Sequence, residues 1–279
     1  MTKIGIYAIA FTLLWPQVST AQRSPLRGVE IRVPSIADSG EYLLYSYTAV
    51  NWGSSTGGAA YLSIDVSAAV GTGYPILPAT GRFYHGAGFP GVRLRDFRDH
   101  TPVGPVSPPN WEAFLTKGAT LDWYGGRGGA SGELDSIAPA DSLTGFGLRS
   151  PYLPGVRAFS ARPTFASCCG RPMPATATRE SEYPDPSTFA VTGWTVGPSV
   201  RPQDLSIAIV RGDLRQVCGP LHWISDGAVC GRLEAHLAHQ ELRAFIDELD
   251  ANHGAQGAVT DNAYWLLRVN AAYLLSRSN

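Results

Sequence analysis

Charge is scarce in this chain, and lysine scarcest of all: charged residues make up 16% of 279, the formal net charge is −1, and lysine occurs only at Lys3 and Lys117. Without a positive surplus there is no field to draw in nucleic acid or an anionic membrane surface. The positive charge is almost all arginine, and its scatter reads as codon bias rather than as a phosphate-binding design. The one local cluster, "VRLRDFRDH" at 92–100, alternates in sign and reads as a solvated strand face or loop. Asp96, Asp99 and His100 within it are metal-ligand types, but the interleaved arginines would repel a cation. No D-x-D-x-D-G run for calcium is present. The four cysteines lack the paired C-x2-4-C spacing of a zinc site, and no motif points to a cofactor.

Long hydrophobic runs are also missing after the first residues. The opening "MTKIGIYAIAFTLLWPQVSTAQ" sets Lys3 ahead of an apolar run from Ile4 to Trp15, then Pro16 and the small residues Ser19-Thr20-Ala21. That pattern reads as a secretory signal peptide over residues 1–21, too short for the ~20 apolar residues of a bilayer span. An exported protein follows, secreted or held in the periplasm or cell envelope, with no membrane span after cleavage.

Glycine and proline, by contrast, are abundant. From residue 22 to 201 they punctuate short runs that alternate apolar and polar residues: "GVEIRV", "YLLYSYTAV", "AYLSIDVSA", "TLDWYG", "LTGFGLRS" and "TFAVTGWTV". Period-two alternation bounded by turn residues predicts antiparallel strands, hence a β-sandwich. "NWGSSTGG" between two such runs reads as a hairpin or loop whose glycines supply positive φ. From 202 to 279 the spacing becomes helical: Leu205, Ile209, Leu214 and Val217 share a side, as do Leu233, Leu237, Phe245 and Leu249, and Thr260 is placed to cap a last helix. The expected fold is mostly β, an antiparallel sandwich followed by a small C-terminal helical bundle.

"VCGPLHWISDGAVCGRL" at 217–233 holds two cysteines, a histidine and an aspartate, the kit of a catalytic or metal site. In an oxidising compartment the expected reading is a disulfide from Cys218 to Cys230, ahead of a Cys-His nucleophile pair using His222. Four cysteines allow three pairings, and the adjacent Cys168 and Cys169 are then expected to form a vicinal bridge as a rigid loop element, ahead of staying reduced or cross-pairing with the helical cysteines.

This region resembles a known module. Leu221, Trp223, Ile224, Gly227 and Val229, followed by "ELRAFIDELDANHGAQGAVTDNAYWLLRVNAAYLL", are similar to FIMAH, a small helical module found at the C-termini of many secreted bacterial proteins. The resemblance spans about the last quarter of the chain and implies an accessory, non-catalytic unit with no transferable ligand. It departs where the linker at His239–Gln240 is nearly deleted, so the two middle helices are expected to run together. Trp223 and Trp265 fall in apolar helical patterns and read as core. More weakly, "YLLYSYTAVNWGSSTGGAAYLSIDV" and "IAPADSLTGFGLRSPYLPGVRAF" resemble strands of exported bacterial β-domains, which implies no chemistry.

Three candidate sites remain. Gly53 to Gly57 fits G-x-S-x-G with Ser55 as nucleophile, but that elbow needs a following helix and "AAYLSIDVS" alternates like a strand. Glu133 and Asp135, with Glu112 as a further partner, are the candidate carboxylate pair of a glycosidase. Trp52, Tyr84, Trp111, Trp123 and Tyr124, with Phe89, fall in or beside loops, where exposed aromatics make flat platforms for sugar rings. The balance favours a non-catalytic binding or envelope-associated protein whose partner is a glycan or cell-envelope component. The alternative is a secreted hydrolase acting on a polysaccharide or ester.

Overall fold

The computed structural model describes residues 25–40, 42–67, 84–86, 89–93, 104–116, 120–125, 127–128, 133–163 and 189–278, with backbone alone at 84–86, 89–93, 114–116, 127–128 and 133–134. The signal-peptide residues 1–21, the cluster at 94–100 and the Cys168-Cys169 pair lie outside the described residues.

Strands β1 (Val29–Asp38), β2 (Leu43–Asn51) and β3 (Ala59–Asp65) come first. Then follow β4 (Tyr84–Gly86), β5 (Phe89–Arg93), β6 (Gly104–Val106), β7 (Trp111–Thr116), β8 (Thr120–Gly125), β9 (Arg127–Gly128) and β10 (Glu133–Leu134). The long strands β11 (Asp141–Ser150), β12 (Leu153–Pro163) and β13 (Val191–Val200) complete the set. Two antiparallel sheets result, one in the order β1-β2-β11-β6 and one in the order β13-β12-β3-β8-β7-β5-β4, with β9 and β10 as a separate ribbon. In β2 the burial alternates strictly, Leu43, Tyr45, Tyr47, Ala49 and Asn51 inward, as period two requires of a strand with one core face.

The "NWGSSTGG" segment is not a hairpin. It carries the chain from β2 in the four-stranded sheet to β3 in the seven-stranded one. None of its glycines adopts positive φ. They are needed for close approach instead: a Cβ on Gly57 would meet Pro25 Cβ at 2.8 Å, and one on Gly58 would collide with the Ser136 hydroxyl. Buried Asn51 fastens the crossing by donating to the carbonyls of Gly57 at 3.0 Å and Ile137 at 2.9 Å.

After Val200 come α1 (Ile207–Cys218), α2 (Gly227–Ala238), α3 (Leu242–Asn252) and α4 (Asp261–Arg277). Three of them start on an oxygen side chain that accepts a backbone N–H: Ser206 from Ile209, Asp226 from Ala228, Thr260 from Ala263. The middle helices do not run together. The chain breaks at His239 to Glu241, where Gln240 takes φ 60°, so α3 turns back against α2. Cys218 closes α1 and Cys230 lies in the first turn of α2, and their disulfide, with Cα atoms 6.1 Å apart, spans the 219–229 loop.

The sandwich and the bundle differ in texture at residue 202, yet one continuous apolar core runs through both. Helix α4 lies on β1, β12 and β13. Its Asn262 acts as a substitute strand neighbour for the edge of β1, accepting from Val33 N at 2.8 Å and donating to Ile31 O at 3.2 Å. Trp265 Nε1 donates to Pro34 O at 2.8 Å, and Thr195 on β13 donates its hydroxyl to Ile31 O at 2.9 Å. An unpaired edge strand would template aggregation, and these side chains cover it.

Candidate functional site

Strand pleating decides which aromatics are available. On β7 and β8, Trp111 and Trp123 point inward, 7% and 1% exposed. Trp111 meets Phe146 edge-on at 5.0 Å, Trp123 meets Phe146 at 5.6 Å and Tyr47 at 5.8 Å, and Trp123 Nε1 donates to Val106 O of the other sheet at 2.9 Å. Both tryptophans expected in a binding platform are therefore the mortar between the sheets. Such large rings are buried where two inner faces meet.

The residues next to them point the other way. Register pairs Glu112 with Tyr124, Tyr124 with Tyr61, and Tyr61 with Arg162, one row across β7, β8, β3 and β12 on the outer face of the seven-stranded sheet. Neighbouring strands lie about 4.8 Å apart, so the row spans about 14 Å from a carboxylate at Glu112, over two tyrosine rings, to a guanidinium. Arg162 stacks on Tyr61 with its guanidinium carbon 4.5 Å from the ring centre. Burial, reinforced by the nearby Asp122 carboxylate that takes the Tyr61 hydroxyl proton in a hydrogen bond, raises the Tyr61 phenol above its ordinary pKa. Thr120 donates a second bond to Asp122 at 3.1 Å. Asp122 is buried, Tyr61, Tyr124 and Arg162 half-buried and Glu112 exposed.

Two further tryptophans are open. Trp194 on β13, 54% exposed, pairs with Ala158, which shares the outer face of β12 with Arg162. Trp52, 46% exposed, stands just after β2 on the other sheet under the guanidinium of Arg32, 5.4 Å from its ring centre.

The other candidates are not assembled into a catalytic centre. Ser55 is 5% exposed, its hydroxyl accepts from Arg27 N at 3.0 Å, and a strand follows it where a nucleophile elbow needs a helix. Glu133 pairs with Gly128 in the separate ribbon, whereas Asp135 lies beyond the strand end with its carbonyl against Gly125, so the two do not share a strand face. Tyr84 occupies β4, and its side chain is outside the described set. Cys218 and Cys230 are consumed in the disulfide, which removes the Cys-His nucleophile. His222 is exposed beside it. Among the described residues no group of three or more His, Cys, Asp or Glu side chains could hold a metal ion.

Of the expected platform, then, Tyr124 belongs to the row, Trp52 is exposed elsewhere, and Trp111 and Trp123 are core. Tyr61, Asp122, Arg162 and Trp194 were missed. Tyr61, Asp122 and Trp194 lie in alternating runs and Asp122 shares a strand with Tyr124, but only the pairing register brings Tyr61 and Arg162 to it.

The chain is thus an antiparallel β-sandwich with a docked, disulfide-closed helical bundle and a polar aromatic row on its larger sheet. No family model, curated protein or solved structure matches it. No described helix is long and apolar enough to cross a membrane.

Proposed function

We propose that this is an exported bacterial binding protein that recognises glycan at the cell surface or envelope without catalysis, and that the Glu112–Tyr124–Tyr61–Arg162 row is its contact surface. The observation that carries the reading is the in-register placement of two tyrosine rings between hydrogen-bonding groups on one solvent-side sheet face. Sugar rings present apolar C–H faces and hydroxyl rims, and such a surface matches both. Three sugar units, at about 5 Å each, fit the row's span of about 14 Å, which follows from the spacing of four strands.

The helical unit, read as FIMAH-like over 203–279, serves here as an accessory element that closes the edge of the sandwich. The disulfide agrees with assembly in an oxidising compartment and with the signal-peptide reading of residues 1–21.

The test is co-sedimentation of the purified protein with a panel of insoluble polysaccharides and isolated cell envelope, with the supernatant assayed for released sugar. Binding without release, lost in Tyr61→Ala and Tyr124→Ala, is expected. Released product would replace this reading by that of a hydrolase acting on a polysaccharide or ester. Binding that survives both substitutions would move the site away from the row.

A further inference from the structure

Five arginines of the described set form ion pairs, and Arg162, like Arg157, is not among them. Arg32 is paired with Glu30, Arg201 with Asp204, Arg211 with Glu234, Arg232 with Glu248 and Arg268 with Asp250. The guanidinium of Arg162 stacks on Tyr61 and makes no ion pair among the described residues, and its Nε is buried without a hydrogen-bond partner. A buried N–H donor left without an acceptor is destabilising, so it invites an acceptor from outside the chain.

The ring fixes the plane of the guanidinium. Stacking leaves the edge of the fork, where the N–H groups point, as its hydrogen-bonding side, and the matching acceptor is a planar oxyanion taken in bidentate fashion. Three carboxylates share this face and could oppose an anion: Asp122, Glu112, and Asp65, which sits opposite Thr120 about 13 Å along β3 from Tyr61. Asp122 already accepts from the hydroxyls of Tyr61 and Thr120. Glu112 is three strands away, about 14 Å, beyond the Debye length of about 8 Å at physiological salt. Charge along the row therefore runs from cationic at Arg162, past the buried Asp122 carboxylate bonded to Tyr61, to anionic at Glu112.

We propose that the row selects a carboxylate-bearing glycan, with the acidic sugar's carboxylate seated on Arg162, its ring on Tyr61 and Tyr124, and hydroxyls of the following units reaching Glu112. The inference rests on the glycan-binding reading and adds its specificity.

Calorimetric titration of the purified protein with trigalacturonic acid and with its fully methyl-esterified counterpart tests the assignment. The two differ in charge and share ring shape. The expected result is that the acid binds about tenfold or more tightly than the ester, as the loss of one charge-assisted contact implies. The difference should shrink with added salt, and Arg162→Gln should abolish it. Arg162→Lys should recover only part of it, because an ammonium lacks the fork. A readout that needs no substitution is the Arg Nε–H correlation in an NMR spectrum, where one arginine resonance should shift with the acid and not with the ester. Equal binding of acid and ester would overturn the acid preference and leave the glycan reading standing. A preference that survives in a folded Arg162→Gln variant would overturn the assignment to Arg162. Failure of both trisaccharides, with a neutral polysaccharide of the panel bound, would also overturn the preference. Failure of every polysaccharide tested would end the parent reading as well.

Discussion

The sandwich and the helical bundle solve the same stability problem by opposite means. In the bundle, contacts are mostly local and several charges are paired: oxygen caps start three helices, a disulfide joins two, and Arg211–Glu234, Arg232–Glu248 and Arg268–Asp250 tie neighbours together at 2.8–3.0 Å. In the sandwich, stability comes from inward rings distant in sequence. Several buried polar atoms there lack partners, among them Tyr47 Oη, Arg157 Nη2 and Arg162 Nε. Burial raises the Tyr45 and Tyr47 phenols above their ordinary range and lowers the Arg157 guanidinium. Among the described residues the bundle keeps fewer such atoms, Asn270 Oδ1 among them, and the proposed recognition surface falls on the sandwich.

The sharpest way to break this contrast is Trp123→Ala. Removing the ring that touches Phe146 and Tyr47 should destabilise the sandwich by about 3–5 kcal/mol. Near-ultraviolet circular dichroism should report lost aromatic packing before helical signal declines. Simultaneous loss of both signals would show instead that the shared core makes the halves one cooperative unit.

Their junction carries a pH dependence. Asp213 on α1 is buried beside Asn270, which donates to Asp213 Oδ2 at 3.4 Å and to Pro154 O of β12 at 3.1 Å. Burial pushes the Asp213 carboxyl up from 3.8 to about 7, with the Asn270 bond opposing. Between these values the folded chain holds a proton that the unfolded chain has lost, so stability falls as pH rises from about 4 to about 7 and levels off above. The swing is on the order of 3 kcal/mol. Urea melts at pH 5 and pH 8 should show it, and Asp213→Asn should flatten this component and stabilise the protein at the higher pH.

Breaking the disulfide in the Cys218→Ala, Cys230→Ala double variant should cost about 3 kcal/mol, as closing a loop of this length implies. The loss should appear in far-ultraviolet melting of the helices. Last comes Asn262→Ala, which strips the edge of β1 of a donor and an acceptor. A cost of about 2 kcal/mol is expected, because a buried N–H and a buried carbonyl each lose a partner. Hydrogen exchange at Val33 N–H should accelerate while the central strands stay protected. An unchanged rate there would mean that the bundle does not guard the edge.

Much of the bundle was legible in the sequence. Its Thr260 cap, its 3.6-residue spacing and its cysteine pair are relations within a dozen residues, whereas the Ser206 and Asp226 caps, equally local, were not read. The break between α2 and α3 was misread, because three residues with one in a left-handed conformation suffice for a reversal that little in their composition announces. The strands were legible as alternation, and β1, β2, β3, β8, β11 and β13 coincide with alternating runs. Strand β7 was not, since "WEAFLT" at the end of a proline-rich stretch is too short for its period to stand out.

The site was less legible for a different reason. Period two says that Trp123 and Tyr124 face opposite ways and is silent on which of them faces the core. Trp52, Trp111 and Tyr124 look alike as aromatics beside glycine or asparagine, yet they end up exposed, buried and half-buried.

By itself the sequence determined the local elements, the Thr260 cap and the cysteine pairing of the bundle, because each depends on near neighbours along the chain. Which sheet each strand joins, which face turns outward, and that Tyr61 meets both Tyr124 and Arg162 were decided only by the tertiary structure. Those relations follow from register between distant strands, and register is set by burying the shared inner face as a whole.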